Sequence, residues 1–457
     1  MQGTRLTLTF LGGTGTVTGS KYLLDDGRSQ LLVDCGLFQG FKQLRLRNWA
    51  PLPLAPAALE AVVLTHAHLD HSGALPLLVR GGFRGRVYCT RSTAALCKIL
   101  LPDSGHLQEL DAEYANRKGF SKHHPALPLY TVEDAERALH RLRPVDFGEP
   151  FDLPGGFEAR FTRAGHILGA ASVRLARDGL PSVVFSGDLG RDHDLMMRPP
   201  EPRPAADYVV LESTYGDRRH GDGDPGDVLA DVVRRTVARG GTVLIPAFAV
   251  GRTQALLVLL HRLRERGKIP DVPVFIDSPM AIAATELYED GGRDHRLSPE
   301  TARSAMRIAT CVETADASKA LDRRDAPAIL LSASGMATGG RVVHHLKHLL
   351  PDPRHTVLLA GFQAAGTRGA ALVAGAPQIK IHGQYIPVRA EVVHLDLLSA
   401  HADRDELLAW LASGPPPRRV FITHGEPAAA DALRHAIEER LRWPCAVPDY
   451  RDSLDLE

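Results

Sequence analysis

Between residues 65 and 71 the chain reads Thr-His-Ala-His-Leu-Asp-His. This segment follows the apolar run 61–64 and precedes a helical pattern at 72–79. In extended chain alternate side chains share a direction, so His66 and His68 point the same way. Asp70 and His71 then fall on the turn into the helix and face a second point. Three imidazoles and a carboxylate packed this closely can divide between two adjacent metal ions, and imidazole with carboxylate suits Zn²⁺. A solvated polar turn accounts for one or two histidines, but poorly for four such donors at a strand end.

The rest of the chain is ordinary globular protein. Its 457 residues exceed one usual domain and suffice for two. With 44% apolar and 24% charged residues it is not a mainly disordered chain. Lys and Arg number 54, as do Asp and Glu, so the formal net charge is zero. A protein that coats DNA through overall basicity is therefore excluded, and any polyanion must be held by local charge. Five scattered cysteines without a C-x-x-C pair point to a reducing compartment. A strand pattern begins at residue 6 with no secretory leader before it, and no apolar run approaches a membrane span. The expectation is a cytoplasmic protein with no membrane association.

Short strand patterns dominate the first 210 or so residues: 6–10, 21–25, 30–34, 61–65, 86–90, 158–163, 171–176 and 182–186. Helical patterns occupy 72–79 and 132–142. A proline-rich loop at 198–204, a strand at 208–212 and a Gly/Asp run at 221–227 mark a boundary. From about residue 240 apolar strands alternate with helices: 242–247 with 252–266, 274–277 with 281–289, 328–332 with 341–349, and 356–360 with 367–374. That alternation predicts a parallel, Rossmann-like sheet. Beyond about 379 come strands, a helix at 404–411 and a strand–helix unit at 419–441.

The histidine segment resembles the signature of the metallo-β-lactamase fold. Other motifs of that fold stand in order at later strand ends. Asp34 lies in Leu-Leu-Val-Asp-Cys-Gly, His166 in Ala-Gly-His, and Asp188 in Ser-Gly-Asp. Glu212 in Leu-Glu-Ser-Thr-Tyr-Gly-Asp-Arg, His401 in Ser-Ala-His-Ala-Asp and His424 in Thr-His-Gly-Glu resemble the further motifs of the β-CASP nucleases. The resemblance covers essentially the whole chain, with no departure at a motif position. It looks closest to bacterial and archaeal relatives of the RNA 3′-end cleavage endonuclease, without room for the KH domains of some archaeal relatives.

The resemblance implies an α/β protein: a metallo-β-lactamase αββα sandwich with an inserted Rossmann-like β-CASP domain. The expected divisions are 1–212 for the first part of the sandwich, 213–380 for the insert and 381–457 for the completion. One zinc would take His66, His68 and His166, the other Asp70, His71 and His424, with Asp188 bridging and Asp34 steadying the histidine loop from behind. Mn²⁺ also suits such an N/O site. A hydroxide bridging the two metals would attack phosphorus in line. His401, oriented by Glu212, would protonate the leaving oxygen as general acid.

Phosphate handling is assigned to the loop Ser332-Ala-Ser334-Gly335-Met-Ala-Thr338-Gly339-Gly-Arg341, between a strand and a helix. Its glycines admit an anion to backbone N–H groups, and Arg341 can fork onto phosphate. Over 301–381 ten Lys and Arg stand against five Asp and Glu, a surplus of five in a neutral chain. Three features are set aside. Gly13-Thr14-Gly15 runs into a strand where a dinucleotide fingerprint needs a helix. His344, His345 and His348 show no evident carboxylate partner and read as a surface or groove-lining face. No G-x-S-x-G elbow is present.

The leading expectation is a two-zinc ribonuclease acting on single-stranded RNA, endonucleolytic with scope for 5′→3′ exonucleolytic action. A homodimer is left open and no protein partner follows. Competing readings are a DNA-processing nuclease of the same subfamily, where Val usually replaces His424, and a small-molecule hydrolase such as a thioesterase or lactonase. The latter requires neither a domain-sized insert nor the His401–Glu212 pair. A catalytically silent RNA-binding subunit would have lost metal ligands that this chain retains.

Overall fold

The computed structural model describes residues 5–119, 121–290 and 293–457. Two seven-stranded sheets and one six-stranded sheet carry the architecture. The chain divides into two compact units. One comprises residues up to 193, 198–219 and 401–457; the other comprises 194–197 and 220–400.

The first unit is a sandwich. In one sheet Leu6–Gly12 lies between the last strand, Ser453–Leu456, and Lys21–Asp25, followed by Gln30–Val33, Leu59–Val63, Arg86–Thr90 and Leu142–Val145. In the other, Tyr208–Glu212 lies between Leu180–Phe185 and Arg419–Thr423, parallel to both. Phe10, Leu24 and Val63 of the first sheet share a buried cluster with Phe161, Val173, Phe185 and Phe421 of the second. Their strands alternate inward and outward positions, as in the Phe157–Arg163 pattern, so each sheet presents one apolar face to the other. The C-terminal segment is therefore integral to this unit through Arg419–Thr423, Cys445–Ala446 and Ser453–Leu456.

The second unit holds a parallel sheet ordered Thr310–Cys311, Val274–Ile276, Ala328–Ser332, Thr242–Pro246, Thr356–Ala360 and Glu391–Leu395. Three of its strands, Thr242–Pro246, Ala328–Ser332 and Thr356–Ala360, are buried throughout, as parallel strands covered on both faces must be. The sequence places the end of the insert at 380. Glu391–Leu395, however, pairs in parallel with Thr356–Ala360, and the compact unit runs on to residue 400.

The helix Arg91–Lys118 spans 28 residues that the sequence pattern does not mark as helical. Pro102 interrupts its sequence, while Thr90 caps its start by accepting from the Thr93 N–H. Among the described residues no helix is long and apolar enough to cross a membrane, and all five cysteines are free.

Candidate metal centre and catalytic site

The histidine loop leaves the strand Leu59–Val63 and enters the short helix Leu69–Ser72. It is braced from behind by residues 34–37. The Cys35 N–H donates to the His71 carbonyl at 2.7 Å, and the Leu37 N–H to that of Leu69 at 2.8 Å. This approach requires Gly36, since a Cβ there would lie 1.6 Å from the Asp70 carbonyl oxygen. Asp34, at φ 58°, accepts from the Thr65 N–H and hydroxyl at 2.8 Å each and meets His71 Nδ1 at 2.7 Å. It thereby holds the His71 ring with Nε2 facing Asp188.

Two donor sets result. His66, His68, His166 and Asp188 offer ligand atoms within 4.8 Å of one another, as do Asp70, His71 and His424. His68 Nδ1 is 3.2 Å from both His66 Nε2 and His166 Nε2. Nitrogens about 2 Å from one tetrahedral zinc stand about 3.3 Å apart, so this set fits such an ion. Asp188 divides its oxygens. Oδ2 lies 3.4 Å from His66 Nε2 and 3.7 Å from His166 Nε2, while Oδ1 lies 3.2 Å from His71 Nε2 and 3.5 Å from His424 Nε2. His424 Nε2 and His71 Nε2 are 3.8 and 4.0 Å from Asp70 Oδ2. His71 Nε2 and Asp188 Oδ1 are buried and, their own 3.2 Å approach aside, have no hydrogen-bond partner among the described residues. Leaving such atoms unpaired is costly, and a cation between them removes the cost.

Burial and neighbouring charges push these groups in different directions. Burial and neighbouring imidazoles hold His66 and His424 well below the ordinary histidine pKa, which keeps them neutral as metal binding needs. Burial also opposes a charge on His71, but Asp188 and Asp34 outweigh it and raise its pKa well above normal. Burial raises Asp188, with His71 pulling the other way.

Beside these sets, His401 Nδ1 lies 3.2 Å from Glu212 Oε1. Glu212 is buried and fixed by the N–H groups of Leu189 at 2.7 Å and Thr214 at 3.1 Å. Burial disfavours its charge, yet His401 and these donors hold its pKa down, and Glu212 in turn raises His401 against the effect of burial. The His401 ring centroid is 4.4 Å from that of His166. Sequence reasoning missed Ser20, whose hydroxyl meets His424 Nδ1 at 2.8 Å. Nothing local marks that serine, because its partner is 404 residues away.

The Gly-rich loop is built differently from the phosphate cradle expected of it. Arg341 directs its guanidinium inward, to Asp277 Oδ1 at 2.5 Å and the carbonyls of Val312 and Glu313 at 2.9 and 2.6 Å. Ser332 is buried and donates to the Asp277 carbonyl, and Gly335 packs under Phe248. The Ser334 hydroxyl accepts from the Thr338 and Gly339 N–H groups, so donors needed by an anion are used within the loop. His345 likewise departs from its surface reading. It is fully buried, with Asp277 on Nε2 and Asp322 on Nδ1, both at 2.6 Å.

A sandwich that gathers histidines and aspartates at its strand ends in this way defines a metal-dependent hydrolase. Residues 14–232 match the metallo-beta-lactamase superfamily, 253–372 the Beta-Casp domain and 385–448 the Zn-dependent metallo-hydrolase RNA specificity domain. The chain belongs to the β-CASP family of the metallo-β-lactamase superfamily. It is 40% identical to Ribonuclease TTHA0252 of Thermus thermophilus over 424 residues, 91% of this chain and 92% of that one. It is 32% identical to the transcription termination factor FttA of Methanosarcina mazei, covering 95% of this chain and 69% of that one. An RNase J-like protein of Methanocaldococcus jannaschii is 30% identical, covering 96% and 97%. A crystal structure of a protein of unknown function from Enterococcus faecalis shares the fold, with a TM-score of 0.55 at 14% identity over 99% of this chain and 100% of that chain.

Proposed function

We propose that the protein is a cytoplasmic ribonuclease that holds two zinc ions, with Mn²⁺ as an alternative, and hydrolyses phosphodiester bonds of single-stranded RNA. The observation that carries the reading is Asp188, whose two oxygens face different histidine sets while His401 and Glu212 stand alongside. Metals bound there supply Lewis acidity and lower the pKa of water near phosphorus. Around them, Asp34 orients His71 and Ser20 orients His424, each through Nδ1. Glu212 engages His401 Nδ1, so Nε2 is the nitrogen that delivers a proton to the leaving oxygen. The family assignment and the ribonuclease among its relatives support RNA as the substrate class. His424, in place of the Val usual in the DNA-processing branch, supports it too.

The test is incubation of metal-loaded protein with end-labelled single-stranded RNA and DNA of one sequence, with and without chelator. RNA should be cut, DNA spared, and cutting abolished by chelation. The ladder also separates internal cleavage from 5′→3′ trimming. Equal cleavage of DNA, or cleavage indifferent to chelation, refutes the proposal.

A further inference from the structure

One surface beside the metal loop takes no part in the chemistry above. After residue 37 the chain forms an arm, with a short helix Lys42–Arg47 that contains no buried residue. So short a helix has little stability of its own. Phe41 is 54% exposed, Leu46 54% and Trp49 57%, three large apolar side chains within nine residues. Between them stand Lys42, Arg45 and Arg47, and from 35 to 59 there is no Asp or Glu. Lys42 and Arg45 are exposed, while Arg47 lies over the rings of Phe38 and Tyr450.

The arm is nonetheless held at its base. Asn48 clamps Phe38, accepting from its N–H at 2.9 Å and donating to its carbonyl at 2.8 Å. The preceding residues are hydrogen bonded to the histidine loop through Cys35 and Leu37. Phe41 lies five residues beyond Gly36, a chain reach of at most about 17 Å. A polynucleotide with its scissile phosphate at the metals is therefore within a few nucleotides of this arm.

Aromatic faces interleaved with cations are what an unpaired strand uses: bases stack on the rings and phosphates meet the charges. We propose that residues 38–49 form a stacking platform for single-stranded RNA beside the scissile bond, with bases on Phe41 and Trp49 and phosphates on Lys42 and Arg45. The platform rests on the ribonuclease reading. It acts in substrate binding and takes no part in the bond-breaking step. Anchoring to the metal loop favours a nucleic acid strand over a membrane surface or a second copy of the chain, which have no need of that position.

Steady-state kinetics on the full-length, metal-loaded protein test it. Phe41→Ala with Trp49→Ala should raise the KM for long RNA about tenfold or more, the loss expected for removed base stacking. It should leave turnover of bis-p-nitrophenyl phosphate, which is too small to reach the arm, unchanged. Trp49→Phe keeps a ring and should restore most of the affinity. Lys42→Gln with Arg45→Gln should reduce the log–log salt slope by about 1.4, two phosphate contacts on a single strand. Oligouridylate should quench the fluorescence of Trp49, the most exposed of the three tryptophans. An unchanged KM and salt slope for long RNA in all variants overturns the platform. So does equal quenching by phosphatidylglycerol vesicles, or a change in oligomeric state without a change in RNA affinity. Failure of the ribonuclease reading is distinct, because the wild-type protein would then not cut RNA at all.

Discussion

Ser20→Ala removes one oxygen atom from a fully buried position and should weaken one metal far more than the other. The hydroxyl meets His424 Nδ1 at 2.8 Å, and His424 itself sits at φ 49°, a conformation that ordinary residues seldom hold unaided. Without Ser20 a buried ring nitrogen loses its partner, at a cost of about 1–3 kcal/mol. At about 1.4 kcal/mol per decade this corresponds to an affinity loss of roughly 5- to 150-fold. Outer partners of metal-binding histidines commonly contribute about 10–100-fold, in the same range. Titration of metal-free protein against a colorimetric chelator should show one equivalent bound with wild-type affinity and the second weakened to that extent. Activity should return at high metal concentration, and Ser20→Thr, which keeps the hydroxyl, should lie nearer wild type. Wild-type affinity for both equivalents, or equal loss of both, refutes the positioning of His424 by Ser20.

Asp188→Ala should lower the content of both metals, measured by elemental analysis, and activity with them; loss of a single equivalent would show that the carboxylate does not bridge. His401→Ala should keep both metals and bind RNA while cutting it about 10²–10⁴-fold more slowly. It should be far less impaired on bis-p-nitrophenyl phosphate, whose leaving group needs little protonation, and loss of a metal would instead make His401 a ligand. Burial opposes a charge on His345, but Asp277 and Asp322 overcome it and lift its pKa from 6.5 to about 9. The group is raised in the folded state, so its contribution of about 3 kcal/mol is fully present below pH 6.5 and is lost as pH rises through 9. Denaturant unfolding of wild type and His345→Gln across that window should show the difference shrinking with pH, and a constant difference would refute the charged assignment.

The metal loop was legible because its four donors are neighbours in sequence and their spacing alone separates two directions. The later ligand candidates were placed by resemblance, because the family's motifs stand in order at successive strand ends. What stayed hidden depends on contacts between distant residues. Ser20 is one serine among many until His424 returns to it. His345 lacked a carboxylate in its own helix, yet Asp277 and Asp322 reach it from elsewhere in the second unit. The same Asp277 draws Arg341 inward, which no reading of the glycine-rich loop by itself could reveal. The helix Arg91–Lys118 escaped because Pro102 breaks the local signal. Glu391–Leu395 is the edge strand of its sheet, half exposed, and lacks the continuous apolar run of its neighbours.

The first strand of the sandwich, Leu6–Gly12, pairs with the last, Ser453–Leu456, and Tyr208–Glu212 waits for Arg419–Thr423. During synthesis the early half of this unit must leave the ribosome with two open strand edges and six of the seven proposed metal donors in place, lacking only His424. At typical elongation rates of about 5–20 residues per second, the more than 200 residues between Asp188 and His424 represent at least about ten seconds. The intervening parallel sheet can fold within that interval, whereas the sandwich cannot close. Such non-local pairing is slow and exposes edges, so chaperone dependence should concentrate in this unit. Under the proposed mechanism the same order has a protective side: a nascent chain lacking His401 and His424 carries neither the proposed general acid nor the last proposed metal ligand while its own messenger RNA is still threaded beside it.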